Sequence, residues 1–488
     1  MGVMALSVST ISQFLRVNLL IYLLPAIGIF LTLYLGFPQF SGFIRGIKVF
    51  FRCLMNKEEK DRLKSLGKVN TCQALAIALA AQVGTGNIVG IATAIMAGGP
   101  GAVFWLWVSS FLGMATVFAE GVLGQIYKSK DRDGNFVGGP AFYIREGFKD
   151  RGMEKFGKVL SQIFAVLLII GLGFIGNMYQ SNSIANSMEK AFGIPPLIMG
   201  VLVALLIAYV MMGGINRISK VAGILVPLMV LFYLGLSLVI ILLYRTQLHF
   251  VFNLILQEAF SQGAILGGAS GIAMRKAVEY GITRGLFTNE AGMGSTPHAH
   301  STATVLHPVE QGSVATLGVF IASGLVSTAT ALAILLTGAN LEGLRGVLVA
   351  QRGFEIVLGP FGQQSLALCS IFFAFTTILA WYYFGESNIR YIQGAMGLVP
   401  YRLIVLCFII LGSIENNDLV WNLTDMFSIL LVLPNALALL LLSKEVKEAL
   451  RDYRKKAKLG KITYDYRYID YLKIQNEKRK QKMNEKFQ

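Results

Sequence analysis

The residues between 81 and 90 combine glycine with polar side chains inside a long apolar stretch that carries no charge. Their sequence is AQVGTGNIVG, so Gln82, Thr85 and Asn87 alternate with three glycines. Each glycine weakens a helix by about 1 kcal/mol relative to alanine, and the backbone groups freed by a break are costly in apolar surroundings unless something binds them. The pattern therefore predicts a broken helix that binds a ligand.

Two other interpretations explain less of this stretch. Close packing of helices through small residues accounts for Gly90, but it leaves the polar side chains of Gln82, Thr85 and Asn87 without a role. The glycine spacing G-x-G-x-x-x-G departs from the dinucleotide-binding fingerprint, and no strand precedes it. A second glycine-rich, uncharged stretch, FSQGAILGGASG at 260–271, predicts another break with Gly267 and Gly268 at the ligand.

The composition indicates that these breaks lie within a membrane. Hydrophobic residues make up 55% of the 488 residues and charged residues only 14%, whereas a soluble protein has about a quarter of its residues charged. About 20 apolar residues cross a bilayer as a helix. The charge-free runs cover 17–44, 69–119 (long enough for two helices), 159–188, 191–216, 221–244, 259–274, 311–341, 356–385, 403–414 and 426–443. We therefore expect an all-α integral membrane protein with about eleven transmembrane helices.

The basic residues predict the orientation of these spans. Of the 43 Lys and Arg residues, 38 fall in alternate loops on one side, together with the C-terminal tail, and 5 fall on the other side. Lys and Arg concentrate in cytoplasmic loops, so we expect an external N-terminus and a cytoplasmic C-terminus. The formal net charge of +16 then reflects topology and contact with anionic lipid rather than nucleic-acid binding.

The order of the runs predicts an inverted repeat. After the first span, two blocks of five spans follow, and each block opens with a glycine-rich helix. Because five is odd, the blocks begin with opposite orientations, as in secondary transporters whose ligands bind at broken helices near the midplane. The expected divisions are a first helix and a basic interfacial helix (1–70), a first repeat (71–244), a second repeat (245–442) and a basic cytoplasmic tail (443–488).

Four long motifs resemble the alanine or glycine:cation symporter family, and the resemblance covers nearly the whole chain. They are GTGNIVGIATAIMAGGPGAVFWLWVSSFLGMATVFAEG (84–121), GGPAFYI (138–144), RGLFTNEAGMGSTP (284–297) and FAFTTILAWYYFGE (373–386). The resemblance implies the leucine-transporter fold, with ten core helices plus one. It also implies sodium-coupled uptake of alanine or glycine, in some members glutamine, across a prokaryotic inner membrane.

The same resemblance implies site residues by position. The substrate would contact Gln82, Thr85 and Gly86 in the broken helix, with Gln180 and Trp381 closing around it. Sodium would bind the hydroxyls of Thr376 and Thr377 together with the carbonyls of Ala80 and Val83, a set of hard oxygen ligands suited to an alkali cation. Gln82 replaces a threonine common in relatives, and Ala380 replaces a glycine, so the preferred amino acid stays open.

The remaining polar candidates receive other expectations. Asn289 and Glu290 follow the sixth core span and would form a gate on the cytoplasmic side, away from the midplane ligand. Glu120 and Glu386 lie at helix ends, which favours a structural or gating role over proton carriage. His298 and His300 lack further ligands at metal spacing, so we expect no transition-metal site. The four cysteines form neither a metal motif nor a disulfide framework.

The function expected from the sequence is a secondary transporter that works by alternating access. Its partners would be a small neutral amino acid, sodium and membrane lipid, with no bound cofactor, no nucleic acid and no obligate protein partner. Coupling to protons instead of sodium remains an alternative, and a channel is a weaker one because the site would form once per chain. A membrane enzyme would need a catalytic cluster, and no nucleophile elbow, HExxH or ATP-binding motif occurs in the sequence.

Overall fold

The computed structural model describes residues 2–55, 69–131, 134–260, 268–415 and 417–460. These residues are almost entirely helical. One short antiparallel pair of strands, β1 (Ser129–Lys130) and β2 (Phe136–Val137), forms in the loop after a long helix. The predicted all-α class of membrane protein is confirmed.

The helices in the first half of the chain are α1 (Gly2–Leu15), α2 (Ile21–Leu35), α3 (Pro38–Met55), α4 (Thr71–Gln82), α5 (Val89–Gly98), α6 (Ala102–Ile126), α7 (Pro140–Lys149), α8 (Glu154–Leu168), α9 (Asn177–Phe192), α10 (Pro196–Met211) and α11 (Gly214–Leu243). Those in the second half are α12 (Leu248–Phe260), α13 (Gly268–Asn289), α14 (Pro297–Ser301), α15 (Pro308–Val319), α16 (Thr328–Thr337), α17 (Val347–Leu358), α18 (Pro360–Gln393), α19 (Leu398–Ile414), α20 (Asn417–Leu441) and α21 (Ser443–Lys458).

Short segments with other helical geometry join several of these helices. Wider π-helical turns at Arg16–Leu20, Ile169–Gly176 and Phe320–Ser327 join α1 to α2, α8 to α9 and α15 to α16. Such turns are rare and occur frequently at functional sites. Tighter 3₁₀ turns occur at Thr85–Asn87, Arg245–Gln247, Ala339–Leu341 and Gly394–Gly397.

Seven helical runs among the described residues are long and apolar enough to cross a membrane. They are Val8–Leu35, Ala102–Ile126, Glu154–Phe192, Gly214–Leu243, Pro308–Thr337, Pro360–Ile414 and Leu419–Leu441. The pair formed by α4 and the segment Thr85–Gly98 passes the same test as one span bent by 57°. The count of eleven spans and the division into two repeats of five remain predictions.

The apolar run at 259–274, predicted as the sixth core span, lies partly outside the described residues. Within the described residues the run contributes only the end of α12 and the start of α13, and α13 continues to Asn289. Hydropathy does not identify α13 as a membrane span, because this helix carries four charged residues, Arg275, Lys276, Glu279 and Arg284. The described structure compensates two of these charges, since Arg16 pairs with Glu279 at 2.9 Å and Arg284 pairs with a buried aspartate of α20.

The position of Arg284 bears on the predicted assignment of charges to the two sides. Arg284 lines the same cavity as Arg16, Lys190 and Arg345, which the sequence places on the side with few basic residues. Counting the three basic residues of α13 with that side would make the predicted split 35 to 8. The asymmetry remains large, so the predicted orientation keeps its basis.

Candidate functional site

The helix break predicted from the glycines is present. The helix α4 ends at Gln82, a single 3₁₀ turn follows at Thr85–Asn87, and α5 begins at Val89. Asn87 holds the break together, because its side-chain amide donates to the Gln82 carbonyl at 2.5 Å. The Ser327 hydroxyl donates to the Asn87 side chain at 2.7 Å. The Gln82 carbonyl and the Asn87 side-chain amide are therefore bonded within the protein, as burial favours.

Two of the predicted substrate residues meet beside Gly84. The Thr85 hydroxyl donates to Gln180 Oε1 at 2.7 Å, and both residues are buried. A Cβ at Gly84 would lie 2.6 Å from the Thr377 hydroxyl oxygen and 3.2 Å from Gln180 Nε2. Any residue with a side chain would push these groups apart, so the glycine is required for their close approach.

The two threonines predicted to bind sodium have different surroundings. The Thr377 hydroxyl donates to the Ala80 carbonyl at 2.7 Å, which brings it to the end of α4. The Thr376 hydroxyl contacts the Phe372 carbonyl of its own helix at 2.9 Å and the Met229 sulfur at 3.5 Å. The structure therefore brings Thr377, but not Thr376, into contact with a predicted carbonyl ligand.

Gln82 links the first break to the end of α13. Its side-chain Nε2 donates to the Asn289 carbonyl at 2.8 Å, and only 1% of the residue is exposed. Its Oε1 faces α15, where a Cβ at Gly318 would lie 2.8 Å away. The amide thus spans the space between three helices rather than pointing freely into an open pocket.

A second break follows α13, at 290–296. Glu290 has a left-handed backbone with φ of +54°, and Gly292 and Gly294 have φ of +87° and +78°. A non-glycine residue in this region is uncommon and often marks a functional site. The break predicted at 260–271 falls mostly outside the described residues. Gly267 lies outside the described residues, and Gly268 is the first residue of α13, so a substrate contact at these two glycines stays a prediction.

Glu290 contacts the tryptophan predicted to close around the substrate. The Trp381 indole N–H donates to Glu290 Oε1 at 2.7 Å, and the Ser295 hydroxyl donates to the other carboxylate oxygen. The indole also packs against Gly176, where a Cβ would lie 2.7 Å from the ring. The structure therefore brings Asn289 and Glu290 into contact with Gln82 and Trp381, two predicted substrate residues, and the expected gating role stays a prediction.

Glu120 and Glu386 differ in their environments. Glu386 pairs with Arg390 at 3.0 Å and with Arg402 at 3.4 Å, as a structural carboxylate does. Glu120 accepts hydrogen bonds from the Asn435 amide at 2.6 Å and from the Gly294 N–H at 3.1 Å, next to the second break. Sequence reasoning did not select Asn435, although an amide within an apolar span is itself a signal of function.

A cavity of 1080 Å³ opens on the side of Arg16 and reaches toward the first break. Arg284 and Asp425, which both line the cavity, form a two-point ion pair with distances of 3.0 and 3.2 Å. The Arg284 guanidinium also lies 4.6 Å over the ring of Trp421, which packs edge-on against Tyr179.

His298 and His300 are both hydrogen-bonded within the protein, and His298 contacts the end of the second break. His298 lies 2.8 Å from the Ser295 carbonyl and 2.8 Å from the Asn388 amide, and His300 lies 2.8 Å from the Gln311 amide. Burial lowers the pKa of His298 to about 4 and that of His300 to about 3, so both are neutral near pH 7. No group of three potential metal ligands occurs among the described residues.

The comparison with known sequences agrees with the motifs. The model of the sodium:alanine symporter family matches residues 1–466. The probable sodium/glutamine symporter of Bacillus subtilis is 39% identical over 461 residues, covering 94% of this chain and 92% of the relative. The sodium/alanine symporter of Methanococcus maripaludis is 38% identical over 440 residues, covering 89% of this chain and 94% of the relative.

Solved structures give more distant similarities. A manganese transporter from Eremococcus coleocola aligns with a TM-score of 0.47 and 14% identity, covering 74% of this chain and 76% of the other. A Na⁺-coupled sialic acid symporter aligns with a TM-score of 0.44 and 14% identity, covering 88% and 86%. The family match over nearly the whole chain and the identities of nearly 40% confirm the resemblance seen in the motifs. The chain belongs to the sodium:alanine symporter family.

Proposed function

We propose that this protein carries a small neutral amino acid across the membrane together with sodium, by alternating access around the two helix breaks. The contact between Thr377 and the Ala80 carbonyl carries this proposal, because it places a hydroxyl of α18 at the end of α4. A sodium ion stripped of water needs several oxygen ligands, and carbonyls at a helix end provide them. Val83 follows the last residue of the same helix and would add its carbonyl, with Thr376 as a weaker candidate.

The amino acid would bind one turn further along the first break. The N-terminal end of α5 carries a partial positive charge, which favours the substrate carboxylate near Thr85 and Gly86. Gln180, now bonded to the Thr85 hydroxyl, would exchange this bond for one to the ligand. Trp381, held by Glu290, and the amide of Gln82 would limit the size of the substrate side chain.

The names of relatives support both alanine and glutamine as substrates. The Methanococcus maripaludis relative is named for alanine and a Bacillus subtilis relative for glutamine, and their identities to this chain are nearly equal. We favour alanine or glycine because the buried Gln82 side chain restricts the space between α4, α13 and α15. The family and the named relatives are transporters, so the protein moves its substrate without changing it.

The membrane arrangement that we propose with this function is the one predicted from the sequence. Eleven spans, with two inverted repeats of five after the first, would place both breaks near the midplane of a prokaryotic inner membrane. The N-terminus would face outward and α21 would lie in the cytoplasm. The exposed apolar side chains of α3, among them Phe40, Ile44 and Phe51, would contact lipid at the interface.

Uptake into liposomes tests the proposal. Purified protein in vesicles should accumulate labelled alanine when sodium is present outside, and unlabelled glycine, glutamine, serine and D-alanine should be compared as competitors. Uptake should saturate with alanine, and the label should be recovered as alanine. Equal uptake with potassium in place of sodium would contradict sodium coupling, and a current that does not saturate would indicate a channel.

A further inference from the structure

Two of the four cysteines lie against each other where α3 meets the start of α4. Cys53 is near the end of α3, and Cys72 is the second residue of α4. The Cys72 backbone N–H donates to Cys53 Sγ at 3.3 Å, and the Cys72 thiol donates to the Phe50 carbonyl of α3 at 3.8 Å. Both cysteines are half-buried. The two sulfurs therefore lie at the same turn of α3, and each remains partly open to solvent.

The distances suit a disulfide bond between these two residues. The 3.3 Å contact and the N–Cα bond of about 1.46 Å together place Cys53 Sγ within about 4.8 Å of Cys72 Cα. A disulfide joins cysteines whose Cα atoms are about 4.4 to 6.8 Å apart. Each sulfur already contacts the backbone of the other helix, so rotation of the two side chains would bring the sulfurs together with little movement of α3 or α4.

The two sulfurs have different surroundings. Cys53 Sγ accepts the Cys72 N–H, which belongs to the first turn of α4, where N–H groups have no carbonyl partner within the helix. This N–H and the positive end of the helix favour the thiolate of Cys53. The contact from the Cys53 thiol to Asn70 Oδ1 is long, at 3.7 Å, and this oxygen already accepts the Gln73 N–H at 2.9 Å. Ionisation of Cys53 therefore gives up little, whereas Cys72 keeps its proton on a carbonyl.

We propose that Cys53 and Cys72 are a reversible oxidation site, at which hydrogen peroxide forms a disulfide that stops transport. The Cys53 thiolate attacks one oxygen of the peroxide, the O–O bond breaks, and the hydroxide released takes up the thiol proton, which leaves water and a sulfenic acid. Cys72 then attacks the sulfenic sulfur, the S–O bond breaks, and a second water leaves with the Cys72 proton. The two thiols give two electrons to the peroxide, and a dithiol reductant reverses the reaction.

The predicted location fits a reversible site. The basic residues of the loop 39–70 predict that this loop faces the cytoplasm. Cytoplasmic thiols are kept reduced, and the disulfides that form there are mostly transient and serve redox sensing or catalysis. A bond between Cys53 and Cys72 would therefore form under oxidation and be removed afterwards.

The position of the pair explains why a bond there would stop transport. The helix α3 is fixed to α15, because Arg52 pairs with Glu310 at 2.7 Å and Arg45 donates to the Ser313 hydroxyl at 3.1 Å. The helix α4 leads into the first break and carries the Ala80 carbonyl of the proposed sodium site. A disulfide between α3 and α4 would hold α4 in one position. This inhibitory effect rests on the proposed function, whereas the formation of the disulfide does not.

Mass spectrometry tests the modification itself. The detergent-purified full chain is reduced, freed of reductant, treated with hydrogen peroxide and digested with or without dithiothreitol. A linked pair of peptides containing Cys53 and Cys72 should appear, and dithiothreitol should remove it. Cys53→Ser and Cys72→Ser should each abolish the pair, and the control variant Cys369→Ser/Cys407→Ser should retain it. Oxidation of Cys53 to sulfinic acid without the linked pair, or a disulfide that joins two copies of the chain, overturns the inference.

Uptake into liposomes tests the consequence. Peroxide should lower sodium-dependent alanine uptake by the wild type about tenfold or more, because a crosslink stabilises only the conformation that it joins, and dithiothreitol should restore uptake. Cys53→Ser should keep more than about half of its uptake after peroxide, and Cys369→Ser/Cys407→Ser should respond like the wild type. A linked pair without loss of uptake overturns the inference and leaves the transport function intact. Absence of sodium-dependent uptake by the untreated wild type refutes the proposed function and the inhibitory effect with it, while the linked peptides still decide the oxidation site.

Discussion

Removing the hydroxyl of Thr377 without changing the shape of its side chain tests the sodium site directly. The change is Thr377→Val, since valine replaces the hydroxyl by a methyl group. In the structure this hydroxyl lies 2.7 Å from the Ala80 carbonyl and 2.8 Å from that of Phe373. A bound sodium ion would sit among these oxygens, and the variant removes one ligand from the set.

The size of the effect follows from the number of ligands. Losing one of about five oxygens leaves the cation partly unsolvated and costs about 1 to 3 kcal/mol. Each 1.4 kcal/mol corresponds to about a tenfold change in an equilibrium constant, so the half-saturating sodium concentration should rise about 5-fold to about 150-fold. The maximal rate at saturating sodium should change much less, because the substrate contacts remain.

The neighbouring threonine provides the matched control. Thr376→Val removes a hydroxyl that contacts its own helix and the Met229 sulfur, so it should shift the sodium requirement by less than about 2-fold. Thr377→Ser, which restores a hydroxyl, should recover most of the wild-type behaviour. The assay measures initial alanine uptake by liposomes against sodium concentration, with choline keeping the ionic strength constant. An unchanged sodium requirement in Thr377→Val, or equal shifts in both valine variants, refutes the assignment.

Three further changes test other parts of the structure. Gln82→Thr removes the hydrogen bond to the Asn289 carbonyl and should lower the free energy of unfolding by about 1 to 3 kcal/mol. Competition assays should show that this variant accepts larger amino acids and still takes up alanine. A loss of glutamine or serine uptake alone would show instead that Gln82 recognises polar substrates. Burial keeps His300 neutral by lowering its pKa to about 3. Below about pH 6.5 the unfolded chain therefore binds one more proton than the folded protein, and the free energy of unfolding falls by about 1.4 kcal/mol for each pH unit of acidification. Thermal unfolding of His300→Gln should show a shallower decrease of stability with falling pH, and the same decrease as in the wild type would contradict this. Cysteines introduced near Gly2 and after Ser443, in a variant without native cysteines, should react with an impermeant maleimide only from outside and only from inside, respectively; labelling of the second site from outside would overturn the orientation.

The first break could be predicted from sequence because its signal is local. Glycines that weaken a helix lie beside Gln82, Thr85 and Asn87, and an apolar run without charges surrounds them. The contact of Thr377 with Ala80 joins positions almost 300 residues apart, and only the family resemblance indicated it. The choice between Thr376 and Thr377 could not be made from sequence, since it depends on how α18 is rotated against α4.

The break at 290–296 was not predicted from sequence because charges were counted singly. Hydropathy alone excludes Arg284 from a membrane span. In the structure, however, Arg284 forms a two-point ion pair with Asp425 and lies over the ring of Trp421. Such pairing lowers the cost that hydropathy assigns to each charge separately, and the partner lies 141 residues away. Gly292 and Gly294 occur in the motif RGLFTNEAGMGSTP. Because the span was predicted to end earlier in the chain, these glycines were interpreted as part of a loop and not as a helix break.

The break at 290–296 explains how sodium and the amino acid could act on the same conformational change. The Gln82 side chain joins the end of α4 to the Asn289 carbonyl, and the next residue, Glu290, holds Trp381. Thr377 lies on α18 one helical turn before Trp381, and it contacts α4 two residues before Gln82. A cation that draws Thr377 toward the carbonyls of α4 would therefore act on both ends of this chain of contacts. Coupling then requires no separate device, because the sodium site and the residues that close the substrate site share the same two helices.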